Sequence, residues 1–233
     1  MRRLQRVRSP VLFLGLLIWI WGCGGPRDPV QEMQRSLASA PEYMIILSDM
    51  REEGTFFTDY YHRYEVVQGE RRAQTDWIEV EEKVFRRYEA FLGMALVAKS
   101  NQGVNNTPHP AGYHYVGNQN YGRWEQRGGQ SFWVFYGQYA LMRDLLGGGG
   151  RPIYRGDYDD YRTYRERRRP YYGKNREWGS RGSVTQKQRP SAFARRKQAV
   201  AKKKSSFSQK LKSRTTGRSR TGFGSRSRGG FGK

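Results

Sequence analysis

The positive charge of this chain sits almost entirely at one end, and that decides where a core can form. Residues 151–233 hold 26 Lys and Arg against 5 Asp and Glu, a surplus of +21 out of +22 for all 233 residues. Residues 24–150 are slightly acidic, with 13 against 16. A segment so cationic, with so few aliphatic side chains, buries too little apolar surface to offset its conformational entropy. The sequence therefore predicts a folded module over 42–150 and a disordered Arg/Lys/Tyr/Gly/Ser-rich tail over 151–233. A module of that length supports one modest core. The single cysteine, Cys23, leaves it no disulfide.

Within the module, Tyr43-Met-Ile-Ile-Leu47 is a continuous apolar run of strand length. Phe56 to Val67 is dominated by aromatic and β-branched residues, and Gly54 supplies a turn between the two, predicting a β-hairpin. Gln68 to Arg72 is a polar break, and Asp76 to Val80 alternates as a third short strand. From Glu81 the period changes. Val84, Phe85, Tyr88, Phe91, Leu92, Ala95 and Leu96 recur at three- and four-residue spacing, predicting a helix with Gly93 as a break or close contact. Asn101 to Gly129 reads as a long loop rich in Asn, Gly, Pro and Tyr. Ser131 offers an N-cap for a second helix over Phe132 to Leu146, ended by Gly147 to Gly150. The fold class is α+β: a small single domain with a β-hairpin or short antiparallel sheet and two helices, followed by the basic tail.

Residues 1–22 have the three-part layout of an export signal: Arg2, Arg3, Arg6 and Arg8, then apolar Val11 to Trp21, then a small residue, Gly22. The apolar run is shorter than the roughly 20 residues a spanning helix needs. Ile20-Trp21-Gly22-Cys23 resembles the lipobox of bacterial lipoprotein precursors. That resemblance implies cleavage between Gly22 and Cys23 and diacylation of the Cys23 thiol. Two acyl chains hold a protein on a membrane stably where one does not. Gly24, where an Asp would signal inner-membrane retention, implies by the same resemblance the periplasmic side of an outer membrane; in a host with one membrane the anchor is the outer face of the plasma membrane. Residues 23–41 read as a linker, broken by Gly24, Gly25, Pro26 and Pro29. The segment beyond looks similar to cell-envelope lipoproteins with no assigned activity.

No enzyme signature emerges. His62 lies among tyrosines in a predicted strand and reads as structural. His109 and His114 lack the spacing of a zinc site, and no cysteine completes one. Ser48, Ser100 and Ser131 sit in no nucleophile elbow. Glu52-Glu53 and Glu79/Glu81/Glu82 read as solvated faces. Asp157 to Asp160 lacks the glycine and closing glutamate of a calcium loop, and Gly147 to Gly150 lacks the lysine of a phosphate loop. Neither a metal nor a cofactor is expected.

Two binding features remain. Tyr113, Tyr115, Tyr121 and Trp124 form a candidate exposed aromatic platform for a glycan or protein partner, while Trp133 and Tyr136 read as core. In the tail, Arg167, Arg168, Arg169 and Lys202, Lys203, Lys204 are the candidate basic clusters, and Ala192 to Leu211 can form a basic helix on a surface. Arg-Gly-Gly-Phe and Arg-Ser repeats resemble nucleic-acid-binding tails, but an exported chain meets little nucleic acid. Anionic lipids, lipopolysaccharide or acidic wall polymers offer the same charge. The expected function is thus a membrane-anchored envelope lipoprotein of structural or interaction role, not an enzyme. The alternatives are an RGG-like nucleic-acid-binding protein and an enzyme with an unrecognised site.

Overall fold

Met44, Ile45, Ile46 and Leu47, near the start of β1 (Tyr43–Glu53), are all fully buried. Strand side chains alternate between faces, so a continuous apolar run means a strand covered on both. Ile45 and Leu47 join Tyr64, Phe85, Leu92 and Leu96 in one cluster; Met44 and Ile46 join Val67, Ala95, Tyr115 and Met142 in another. Each such side chain stabilises the fold by roughly 1.5–3 kcal/mol on burial. The computed structural model describes residues 28–54, 57–146 and 152–216. Gly22, Cys23 and the export segment lie outside the described residues, as does 217–233.

The predicted hairpin is present. β2 (Asp59–Gln68) runs antiparallel to β1, with Met44 opposite Val67 and Glu53 opposite Asp59. Gly54 makes the turn at φ +102°, and a Cβ there would fall 1.8 Å from the Phe57 carbonyl oxygen. β3 (Arg71–Gln74) and β4 (Ile78–Val80) both pair with β2. β4 is the expected third strand, while β3 takes the stretch read as a polar break; as an edge strand it leaves all four residues exposed. On the other side of β1 lie β5 (Met94–Ser100), then β6 (Gly103–Asn105) and β7 (His109–Pro110), both paired with β5. The order across the main sheet is β3-β2-β1-β5-β6. Helices α1 (Pro29–Ser36) and α2 (Glu82–Tyr88) cover the Ile45/Leu47 face through Val30, Val84 and Phe85. A second sheet is formed by β8 (Gly122–Arg127), β9 (Gln130–Phe135) and β10 (Ile153–Tyr154), in the order β10-β9-β8.

The α+β class is as expected, with more helices and strands than the sequence suggested. The helix predicted from Glu81 stops at Tyr88 and gives a single 3-10 turn over Glu89–Phe91 before β5. Gly93 is the reason. Its φ of +77° is foreign to a helix, its N–H donates to the Leu47 carbonyl at 2.7 Å, and Thr185 packs where a Cβ would stand. The second predicted helix is a strand in its first half: Phe132 and Trp133 face Glu125 and Trp124 across β8, and only α3 (Ala140–Leu145) is α-helical. The 101–129 loop contains β6, β7, β8 and a 3-10 turn over Tyr113–Tyr115. The 23–41 linker contains α1, capped by Asp28, whose carboxylate accepts the Val30 N–H at 3.1 Å.

The folded part does not stop at 150. Ile153 pairs with Trp133 through β10, and α4 (Arg155–Glu166) buries Asp157 and Tyr161. Tyr161 packs on Tyr113 and Tyr171 with ring centroids 5.6 and 5.9 Å apart. Helix α4 ends in a Schellman cap. Arg168 takes φ +52°, its N–H reaches the Arg165 carbonyl, and the Arg169 N–H reaches that of Tyr164. Tyr171 and Trp178 are also buried, before α5 (Ser183–Gln188) and α6 (Pro190–Thr216). Aromatic rings thus supply the apolar surface that aliphatic residues do not. Tyr161→Ala should lower the unfolding free energy by about 3–5 kcal/mol in urea titrations; no change would mean that α4 contributes nothing to the core.

Candidate functional site

The longest helix among the described residues, α6, carries nine Lys and Arg and no Asp or Glu. Its root is fixed to β1. Strand β5 pairs with β1 only from Tyr43 to Ile46, so beyond that point the edge of β1 lacks a neighbouring strand. The Arg189 guanidinium, one residue before α6, fills part of that gap by donating Nη1–H to the Ser48 carbonyl at 3.3 Å. Its Nη2 donates to Oε2 of Glu65 at 2.9 Å, and Arg72 of β3 pairs with the same buried carboxylate. One turn further on, Ala192 is buried, Arg195 pairs with Asp49, and Arg196 donates to Glu89 Oε1 at 3.2 Å and to the Glu89 carbonyl at 2.9 Å. Burial pulls the Arg196 pKa below its ordinary value, with Glu89 opposing that shift.

Trp77 completes the root. The Arg51, Arg63 and Arg195 guanidinium carbons lie 4.3, 4.7 and 5.9 Å from its ring centroid. Each such contact contributes about 0.5–1 kcal/mol where exposed. Past Val200 the arm changes character: Lys202, Lys204 and every further side chain described on the helix are exposed. At 1.5 Å per residue the helix is about 40 Å long, so more than half of it extends beyond the root.

The three histidines are packed into the domain. His62 is fully buried, hydrogen-bonded through Nδ1 to the Tyr64 hydroxyl at 2.9 Å and stacked on Phe85 at 5.2 Å. His109 Nδ1–H donates to the Thr107 carbonyl at 2.8 Å, and His114 Nε2–H to that of Gly103 at 3.3 Å. Burial lowers the pKa of His62 and of His109 to about 4 and that of His114 to about 3. Among the described residues no group of three His, Cys, Asp or Glu is placed to hold a metal ion. Nor is any described helix long and apolar enough to cross a membrane.

The candidate aromatic platform is not a surface. Tyr113, Tyr115 and Tyr121 are buried, Tyr115 donating its hydroxyl to the Tyr43 carbonyl at 3.1 Å, and Trp124 packs against Trp133. Tyr115 and Tyr121 join the Met44/Ile46 cluster, and Tyr113 and Trp124 a further one with Trp133 and Tyr161, because each ring finds an edge-to-face neighbour, as Tyr115 does on Tyr121 at 4.8 Å. Arg167, Arg168, Arg169, Lys202 and Lys204 are exposed, but the two basic clusters are not brought together. Arg167, Arg168 and Arg169 close α4, which packs on β9 and β10, whereas Lys202, Lys203 and Lys204 lie along α6, which packs on β1. Sequence reasoning missed Glu65, Asp49, Trp77, Arg189 and Arg195. Their pairings span up to 146 residues, and no local pattern announces them. The chain matches no family model, no curated protein and no solved structure.

The histidine pKa values fix a sign for pH dependence. In the folded chain the imidazoles stay neutral, while in the unfolded chain they take up protons near pH 6.5. Stability is therefore complete above about 6.5 and falls as pH drops towards 4. The His Cε1–H resonances of the folded protein should show no titration between pH 8 and about 5.5; a midpoint near 6.5 would contradict the burial.

Proposed function

We propose that the protein is an exported lipoprotein of structural or interaction role, held on a membrane by diacylated Cys23, whose domain presents α6 to anionic envelope polymers or lipid headgroups. The observation that carries this reading is a long helix with nine Lys and Arg and no acidic residues, rooted on β1 by ion pairs, whose described side chains beyond Val200 are exposed. The domain opens close to the proposed anchor. Only four residues lie between Cys23 and Asp28, and the five steps reach at most about 18 Å at roughly 3.6 Å per residue. Asp28 is itself held by Arg87 and the Tyr88 hydroxyl, each at 2.7 Å, and the next residue, Glu89, holds Arg196. Tether and arm are thus rooted on one three-residue stretch, Arg87 to Glu89, at the C-terminal end of α2. Each Lys or Arg near an anionic membrane contributes about 1 kcal/mol, lost beyond a Debye length.

Two measurements test this reading. Intact mass of the protein from its own host should show a chain starting at Cys23 and heavier by its acyl groups, in the membrane fraction, with Cys23→Ala left unacylated and uncleaved. An unmodified full-length chain in the soluble fraction would overturn the lipoprotein reading and bring nucleic acid forward. Separately, changing Lys202, Lys203 and Lys204 together to Glu should release the protein from immobilised lipopolysaccharide at clearly lower salt. Unchanged elution would remove α6 as the binding element.

A further inference from the structure

We propose that the partner of α6 is an anionic lipid bilayer, and that the tip of the β1–β2 hairpin, at Phe57, enters it alongside the helix. This proposal rests on the polyanion reading of α6 and names the surface it meets. Phe57 is 87% exposed and Phe207 63%, the two largest exposures among the described large apolar side chains. One feature lies between β1 and α6, the elements that lead to them. A groove of about 360 Å³ runs between the end of β1, α2 and α6, with Met50, Phe85 and Val200 among its apolar lining and Arg51, Arg86 and Lys202 on its rim. Its β1 end is Glu52–Glu53, and Glu53 pairs with Asp59, two residues after Phe57. Its α6 end is Val200, itself 48% exposed. Phe207 lies seven residues further along the helix, two turns away on nearly the same face, with Lys204 between them.

The surface therefore combines two signals that bind membranes together where either alone is weak: apolar side chains able to leave water, and a polybasic element beside them. The acidic residues that line the groove are each paired with an arginine. Glu53 pairs with Arg51 at 3.2 Å, Glu52 with Arg86 at 3.8 Å, and Glu89 with Arg196. A soluble polyanion offers no apolar phase for Phe57. A bilayer does, and aromatic side chains favour its interface.

The test uses the chain from Gly24 to Lys233, which keeps every described element and has no cysteine, with folding checked by near-ultraviolet circular dichroism. Phe57→Cys carries an environment-sensitive nitrobenzoxadiazole label, and Arg127→Cys, at the exposed tip of the β8–β9 hairpin, is the control. The vesicles are phosphatidylcholine with or without phosphatidylglycerol. The expected result is a blue shift of the label at 57, none at 127, and only with phosphatidylglycerol. Unlabelled Phe57→Ser should bind about tenfold more weakly, the equivalent of losing most of one buried phenylalanine. Co-sedimentation with an unshifted label at 57 would overturn insertion while leaving α6 as the binding element. Binding to lipopolysaccharide but not to vesicles would overturn the bilayer as partner, and binding to neither would overturn the polyanion reading as well.

Discussion

The arrangement of this protein follows from the unequal length of two neighbouring strands. β1 runs for eleven residues and β5 for seven, and the two pair only from Tyr43 to Ile46. An exposed strand edge is a template for unwanted pairing, and proteins cover it with a helix, a loop or charge. Here all three are used. The Gly93 N–H takes the Leu47 carbonyl, Arg189 takes that of Ser48, and the first turns of α6 lie alongside Asp49 and Met50. The basic arm is therefore attached through the requirement that completes the sheet.

That attachment depends on buried carboxylates. Glu65 is almost inaccessible and is flanked by Arg72 and Arg189; Asp49 is held by Arg195. Leaving a buried charge without its partner costs about 3–5 kcal/mol, far more than an exposed ion pair contributes. So the cations at the start of the arm and those further along it differ. Arg189, Arg195 and Arg196 close the fold, while Lys202 and Lys204 are exposed on the helix beyond it. A net charge computed for the whole tail blurs this distinction, which becomes visible only when each cation is assigned its contact.

Much of the main sheet was legible because its signals are local. The apolar run at Tyr43–Leu47, the glycine at 54 and the β-branched residues of β2 each report on their own neighbourhood. The helix over Glu81–Leu96 failed because apolar spacing continues past Gly93 into β5, where Ala95 and Leu96 face opposite sides of a buried strand and mimic a helical period. Residues 132–135 mislead for the converse reason: Ser131 is a suitable N-cap and a helix follows from Ala140, so the pattern hides the β-preference of Phe132, Trp133 and Val134. The histidines at 109 and 114 and the tyrosines at 113, 115 and 121 were legible as residues but not as interior, because burial in an irregular segment has no period.

The tail is where composition was weighed on the wrong residues. Aliphatic content is a fair index of a core when strands and helices pack through Val, Ile and Leu. In residues 152–182 the burial is carried by Tyr161, Tyr171 and Trp178, with Ile153 as the sole buried aliphatic side chain. Tyrosine raises hydrophilicity on a sequence scale yet buries a large ring when its hydroxyl meets water or a polar neighbour. Tyr161 shows how: its hydroxyl accepts from Asn105 at 3.1 Å while its ring lies among Tyr113, His109 and Tyr171. Interspersed arginines do not prevent this, because a 12-residue helix such as α4 can bury Asp157 and Tyr161 on one side and keep Arg155 and Arg162 in water on the other. The change from folded chain to polyvalent arm therefore falls within α6, after Val200, where aromatic contacts end and lysines continue.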